Sequence, residues 1–225
     1  MIKDRSPFID ITRFLGIGLM VFFHFTYDLH LFNLGLISRL NFYYWDWFPK
    51  FIVFLFMLSM GMSLGLNNSS KLYPRSFFTS QLKLLFCALI ISASTFYMYP
   101  SRWVYFGTLH CIFLCRFFIV PLRKRPYLSL FIFILINIPL FLGYNYPWPR
   151  MDHQSMDYIP LLPWLSYGYL GVFLSNTRLI QFGREIGSSN IVTFLSKKSL
   201  VIYMIHQPIL YGLAGLIYLL KSKSM

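Results

Sequence analysis

The chain has 225 residues, of which 57% are hydrophobic and 12% charged, and its mean hydropathy is +0.59. This composition excludes a soluble globular domain, because too few charged side chains are available to form a surface in contact with water. The net charge of +13 does not indicate nucleic-acid binding, since the Lys and Arg residues fall between apolar segments and form no long basic run. We expect one integral membrane domain over residues 1–225.

Seven apolar stretches are long enough, or nearly so, to cross a bilayer as helices. They lie near residues 8–31, 47–66, 82–98, 104–120, 127–143, 160–175 and 200–220. The third to sixth stretches are short for a span, so six crossings remain an alternative to seven. The sequence therefore predicts an all-α, polytopic transmembrane helical bundle of about seven helices.

The basic residues between the apolar stretches indicate how the bundle is oriented. With the N-terminus in the cytoplasm, eleven Lys and Arg residues fall in the inner connections and six in the outer ones. Cytoplasmic loops carry an excess of Lys and Arg, so this distribution favours a cytoplasmic N-terminus and an outer C-terminus. A short multipass chain of this kind is typical of the bacterial inner membrane.

The first predicted span contains four titratable side chains, which are costly inside a bilayer and normally face a protein interior or a water-filled cavity. Asp10 and Arg13 are three residues apart, so an ion pair between them would lower that cost. His24 follows Arg13 by eleven residues, which returns it to nearly the same face roughly 16 Å farther along. Asp28 lies one turn beyond His24, where a carboxylate would orient the imidazole. The pattern predicts a general base at His24, with a purely structural histidine as the alternative.

Three later positions add to this pattern. His110 lies in the outer half of the fourth predicted span, and Asp157 lies at the outer entrance of the sixth, where Pro160 and Pro163 predict an interrupted helix start. His206 lies beside a proline in the inner half of the seventh span, where bonding the kinked backbone is its alternative role.

Depth along the predicted helices divides the polar residues into two groups. We expect an outer group of His24, Asp28, His110 and Asp157, and an inner group of Arg13, His206 and the pair Lys197 and Lys198. A basic inner mouth suits an anionic, phosphate-bearing donor from the cytoplasm. An outer acid–base group suits an acceptor presented on the other side.

Five stretches, 9–16, 24–29, 107–110, 157–164 and 199–208, resemble in order the bacterial DUF1624 proteins, which are related to the catalytic domain of heparan-alpha-glucosaminide N-acetyltransferase. The spacing of Arg13 and His24 is also similar to the first-helix signature of the wider membrane acyltransferase-3 group, in which that histidine is considered essential to acyl transfer. The sequence departs from many relatives at Phe14, where they have glycine. The animal enzyme has an asparagine where His24 aligns, so the assignment of the base follows the bacterial pattern.

Together these features predict a membrane acyltransferase that moves an acetyl or short acyl group from cytoplasmic acyl-CoA, such as acetyl-CoA, to a hydroxyl or amine of a sugar or lipid-linked acceptor. The predicted catalytic residues are His24, Asp28 and His110. The predicted donor-binding residues are Arg13, His206 and Lys198. The predicted acceptor-binding residues are Asp157, Asp10 and Trp164. We expect no metal and no nucleic-acid partner, and we expect contact with membrane lipid and, as an option, a homo-oligomer.

Two other classes of function remain open from the residues alone. Buried His and Asp side chains also make proton relays, so a proton-coupled transporter of a small solute or anion is the first alternative. A noncatalytic scaffold is the second, since Gly61 and Gly65 have the spacing of a helix-packing motif. A scaffold leaves the buried titratable groups unexplained.

Overall fold

A computed structural model describes residues 6–34, 42–67, 69–180 and 187–223. The regular secondary structure in these ranges is helical, with no β-strand and one isolated bridge between Phe106 and Tyr158. The helices are α1 (Pro7–Leu31), α2 (Phe42–Gly65), α3 (Arg75–Met98), α4 (Thr108–Ile119), α5 (Pro126–Phe141), α6 (Leu161–Leu174), α7 (Asn190–Lys197) and α8 (Ser199–Lys223), with a short 3-10 helix at Val120–Leu122. The predicted all-α class is confirmed.

Seven of these helices have the apolar character of membrane spans. Four are long and apolar enough to cross a bilayer, namely Pro7–Leu31, Trp45–Gly65, Arg75–Met98 and Ser199–Ser222. Three more are apolar but shorter, namely Thr108–Leu122, Pro126–Phe141 and Leu161–Leu174. The protein is therefore a multi-pass membrane protein, and about seven helices agrees with the prediction. The short helix α7 lies in a segment that the sequence indicated as a connection.

The chain divides into two compact units. The first unit comprises Met1–Ile9 and Met57–Gly187, and the second comprises Asp10–Phe56 and Ser188–Met225. The first unit thus contains α3 to α6 with the second half of α2. The second contains nearly all of α1, the first half of α2, and α7 and α8.

Within the first unit, α2 and α6 pack through glycines. A Cβ atom at Gly61 would overlap the carbonyl group of Gly168, and one at Gly171 would overlap the carbonyl oxygen of Leu58. Without strong hydrophobic attraction between helices in lipid, such close backbone approach provides the dispersion contacts that hold helices together. The packing role expected of Gly61 is therefore present.

Arg123 is buried in the first unit, at 4% exposure. Its guanidinium donates hydrogen bonds to the carbonyl oxygens of Ser69, Lys71 and Leu72 at 2.8, 2.7 and 2.9 Å. The sequence indicated only a topological charge at this position. The structure adds that Arg123 closes the turn between α2 and α3, because one planar group with several donors satisfies three carbonyls at once.

Candidate active site

A polar group in the second unit, here the α1–α8 cluster, consists of His24, Asp28, His206 and Gln207. The rings of His24 and His206 have centroids 4.8 Å apart and meet edge to face at 65°. One turn along α1, the fully buried Asp28 accepts a hydrogen bond through Oδ1 from Gln207 Nε2 at 2.9 Å. Two helices that lie far apart in sequence thus bring two histidines, a carboxylate and an amide together.

The orientation of the His206 ring is fixed by its own helix. Its Nδ1 lies 2.7 Å from the carbonyl oxygen of Tyr203. A carbonyl oxygen only accepts hydrogen bonds, so Nδ1 carries the hydrogen, and in the neutral ring Nε2 presents a lone pair. His206 is 9% exposed. The α1–α8 cluster therefore contains a buried imidazole with a defined tautomer.

His24 makes a different set of contacts. Its described neighbours are aromatic, with the ring of Phe23 at 5.6 Å and that of His206 at 4.8 Å between centroids. Among the described residues no hydrogen bond joins His24 to Asp28, whose described side-chain partner is Gln207. The orientation of His24 by Asp28 stays a prediction.

A second polar connection in this unit joins α1 to α7. The fully buried Ser196 donates from Oγ to Asp10 Oδ1 at 2.9 Å and lies 3.5 Å from a terminal nitrogen of Arg13. Asp10 is itself 3% exposed. Lys198, which follows α7, is exposed. The predicted neighbours Asp10 and Arg13 thus share a partner that the sequence did not indicate.

The first unit contains its own polar group at the start of α4, here the α4 cap cluster, formed by Ser92, Gly107, Thr108, His110 and Asp157. Asp157 Oδ2 accepts the backbone N–H of Thr108 at 2.8 Å, and Asp157 Oδ1 accepts the Thr108 hydroxyl at 3.3 Å. A carboxylate on the first N–H groups of a helix satisfies donors that have no intrahelical partner. A Cβ at Gly107 would overlap that carboxylate, so glycine is needed here for the close approach.

His110 completes the α4 cap cluster through both ring nitrogens. Nδ1 accepts the backbone N–H of Gly107 at 3.2 Å, so in the neutral ring Nε2–H faces Ser92 Oγ, which lies 3.2 Å away. The Ser92 hydroxyl then donates to the carbonyl oxygen of Val104 at 2.7 Å. The chain of hydrogen bonds ends on a backbone acceptor, and each ring nitrogen has a partner.

The structure corrects one expected grouping. His206 was expected in an inner group, apart from His24, but the two rings are in contact. His24 is the eighteenth residue of α1 and His206 is the eighth residue of α8, so position along a helix does not give the depth at which the two side chains meet. The expected grouping of His110 with Asp157 is present, since both bind the first turn of α4.

The start of α6 has the form that its prolines predict. Pro160 has extended backbone angles, and Leu162 departs from helical angles within the first turn. Trp164 is half-buried and packs on Tyr167, with ring centroids 5.6 Å apart. Its role in acceptor binding stays a prediction.

Gln207 and Ser196 were missed by reasoning from the sequence. Neither carries a charge, so neither stands out in an apolar or mixed segment. A signal for Gln207 was its position directly after His206 in the stretch 199–208. In the part of the chain that the structure describes, no group of three or more His, Cys, Asp or Glu residues is arranged to hold a metal ion.

An all-helical membrane protein with a buried two-histidine cluster is the class that these features define. Residues 5–208 match the family described as heparan-alpha-glucosaminide N-acetyltransferase, catalytic. This match covers most of the chain and includes both polar clusters, so the protein belongs to that family and has an acetyltransferase-type domain. No curated protein and no solved structure is significantly similar to the chain.

Proposed function

We propose that this protein transfers an acetyl or short acyl group from cytoplasmic acyl-CoA to a hydroxyl or amine of a sugar or lipid-linked acceptor on the outer side of the bacterial inner membrane. The single observation that supports the site of transfer is the contact between His24 and His206 beside the buried Asp28. Such groups are rare inside membrane proteins and typically mark functional sites.

In the proposed reaction the acceptor N–H or O–H attacks the carbonyl carbon of the thioester. A new N–C or O–C bond forms, the C–S bond breaks, and CoA leaves as a thiolate that then takes a proton. His24 accepts the proton of the attacking group, and the carboxylate of Asp28 stabilises the imidazolium that results. This sequence of steps describes direct transfer. In the alternative route a histidine nitrogen first forms an N–C bond as the C–S bond breaks, and the acceptor then forms its bond to the acyl group as that N–C bond breaks.

The remaining predicted residues are proposed to act around this step. Arg13 and Lys198 are proposed to attract the phosphates of the donor. His206 was predicted on the donor side, and its contact with His24 supports a role beside that histidine instead. Asp10, Asp157 and Trp164 stay predictions for acceptor binding, and the catalytic role of His110 also stays a prediction. The described contacts of Asp10, His110 and Asp157 also hold helix ends in place.

The test is release of free CoA from acetyl-CoA by purified protein in lipid nanodiscs, with a cell-envelope extract as acceptor. We expect release that depends on the extract and falls by about 10² to 10⁴-fold in His24→Ala. The variant must retain the helical content and thermal transition of the wild type. Absence of release with several acyl donors, together with no detectable CoA binding, would overturn acyl transfer and favour a proton-coupled transporter.

A further inference from the structure

Unpartnered polar atoms are unevenly distributed in this protein. In the described part of the chain, five buried side-chain atoms have no hydrogen-bond partner, namely Ser6 Oγ, Asp28 Oδ2, Gln81 Oε1, His206 Nε2 and Gln207 Oε1. Three of the five belong to the α1–α8 cluster. A buried polar atom without a partner destabilises the folded protein, so three in one cluster indicate a group that is supplied from outside the chain.

The three atoms share one chemical property, which is that they accept hydrogen bonds. Asp28 Oδ2 is an oxygen of a carboxylate whose other oxygen is bonded to Gln207. The Gln207 amide must turn its nitrogen toward that carboxylate, which leaves its carbonyl oxygen Oε1 as the free atom. His206 Nε2 carries a lone pair in the neutral ring, because Nδ1 carries the hydrogen and donates it to the carbonyl oxygen of Tyr203. No one of the three can donate to a ligand while Asp28 is ionised and His206 neutral.

We propose that Asp28, His206 and Gln207 form a subsite whose free atoms only accept hydrogen bonds. This subsite binds the attacking substrate through a neutral or cationic group with two or more N–H or O–H hydrogens. This inference rests on the proposed acyl transfer. The thioester carbonyl, the oxyanion formed from it and the phosphates of CoA also only accept hydrogen bonds, so they find no hydrogen-bond donor here. We therefore assign the subsite to the attacking substrate, and the acyl carbonyl and the phosphates bind elsewhere.

Gln207 is the positioning residue of this subsite. Its Nε2 donates a hydrogen bond to Asp28 Oδ1 at 2.9 Å, and so the second carboxylate oxygen, Oδ2, is directed away from Gln207. Substitution by Met preserves the length of the side chain and removes both hydrogen-bonding atoms. The chain offers a matched control in Gln81, which is 2% exposed, donates to the carbonyl oxygen of Phe113 at 2.9 Å, and has a solitary unpartnered Oε1.

The first experiment measures CoA release in nanodiscs while the cell-envelope extract and acetyl-CoA are varied separately. We expect Gln207→Met to raise the apparent KM for the extract by about tenfold or more, which is the usual cost of an unpaired buried group. The KM for acetyl-CoA should stay at the wild-type value, and Gln81→Met should leave both constants unchanged. A Gln207→Met variant that changes only the KM for acetyl-CoA, or neither constant, would overturn the subsite.

A second experiment does not depend on catalysis. The ring nitrogens of ¹⁵N-histidine are observed by NMR, with His206→Gln used to assign the His206 signals. We expect an unprotonated Nε2 whose signal shifts on addition of ethanolamine or glycerol, which donate hydrogen bonds, and does not shift with acetate, which accepts them. The shift should be lost in Gln207→Met.

The two experiments separate the possible failures. An Nε2 signal that responds to the donor probes without any CoA release would retain the subsite and overturn acyl transfer. CoA release with an Nε2 signal that responds to acetate alone, or to none of the probes, would retain acyl transfer and overturn the subsite.

Discussion

The α1–α8 cluster and the α4 cap cluster use similar side chains but differ in how completely their polar atoms are bonded. In the α4 cap cluster, both nitrogens of His110 and both oxygens of Asp157 have described partners, two of them backbone N–H groups at the start of α4 and two of them hydroxyls. In the α1–α8 cluster, Asp28, His206 and Gln207 each have one bonded and one unbonded atom. Burial of a histidine and a carboxylate therefore does not identify a reactive site by itself. Unused bonding capacity is the more informative property.

The largest expected effect distinguishes His24 from His110. We expect His24→Ala to lower kcat by about 10² to 10⁴-fold in molecules that remain folded, because it removes the proposed base. We expect His110→Ala mainly to lower stability, since it leaves the Gly107 N–H without its partner and removes the hydrogen bond that Ser92 Oγ accepts. Turnover per folded molecule and unfolding in detergent measure the two quantities. Equal losses of kcat in folded samples of both variants would contradict the distinction.

The next effect concerns the carboxylate at the start of α4. We expect Asp157→Ala to lower the free energy of unfolding by about 1–2 kcal/mol, because the first N–H of α4 and the Thr108 hydroxyl lose their acceptor. Asp157→Asn is the matched control, since its amide oxygen still accepts from Thr108, and its loss should be smaller. Equilibrium unfolding in lipid–detergent mixtures measures both. Equal stability of the alanine variant and the wild type would show that the cap is not needed.

The smallest effect tests the serine that extends the α4 cap cluster into α3. Removing the Ser92 hydroxyl deletes its bonds to His110 and Val104, and we expect Ser92→Ala to cost about 1 kcal/mol of stability. Ser94→Ala is the control, because Ser94 is exposed and bonds only within its own helix turn, to the carbonyl oxygen of Ile91. The thermal midpoints of the two variants should therefore differ, with Ser92→Ala lower. Identical midpoints would mean that the chain through Ser92 adds nothing to the stability of the cluster.

Much of the fold was predictable because the bilayer imposes long apolar helices on the sequence. The same constraint exposed His24 and Asp28, since polar groups in an apolar segment are conspicuous. Gln207 was not found, because an amide beside a histidine gives no such contrast. Its pairing with Asp28 spans 179 residues, a separation that one sequence cannot reveal. The helix α7 was missed because eight residues between longer spans contain too little periodicity to be distinguished from a loop.

The burial of Arg123 shows another limit of sequence reasoning. Its place in a basic run between two apolar stretches predicts an exposed loop charge, which the positive-inside bias explains fully. The three carbonyls that it binds come from residues 51 to 54 positions earlier. Arg123 contributes both to the positive-inside charge bias and to closing the turn between α2 and α3. Only the charge bias can be recognised from the sequence.

The hydrogen bonds that join α1 to α7 and α8 affect how the protein is made. Ser196 and Asp10 lie 186 residues apart, and Gln207 and Asp28 lie 179 apart. Chains emerge from the ribosome with their N-terminal part first, so α1 enters the membrane long before its polar partners on α7 and α8 have been synthesised. The hydrogen bonds that Asp10 and Asp28 accept from Ser196 and Gln207 can therefore form only when translation is nearly complete. The last helices to be made thus complete the polar contacts of the first.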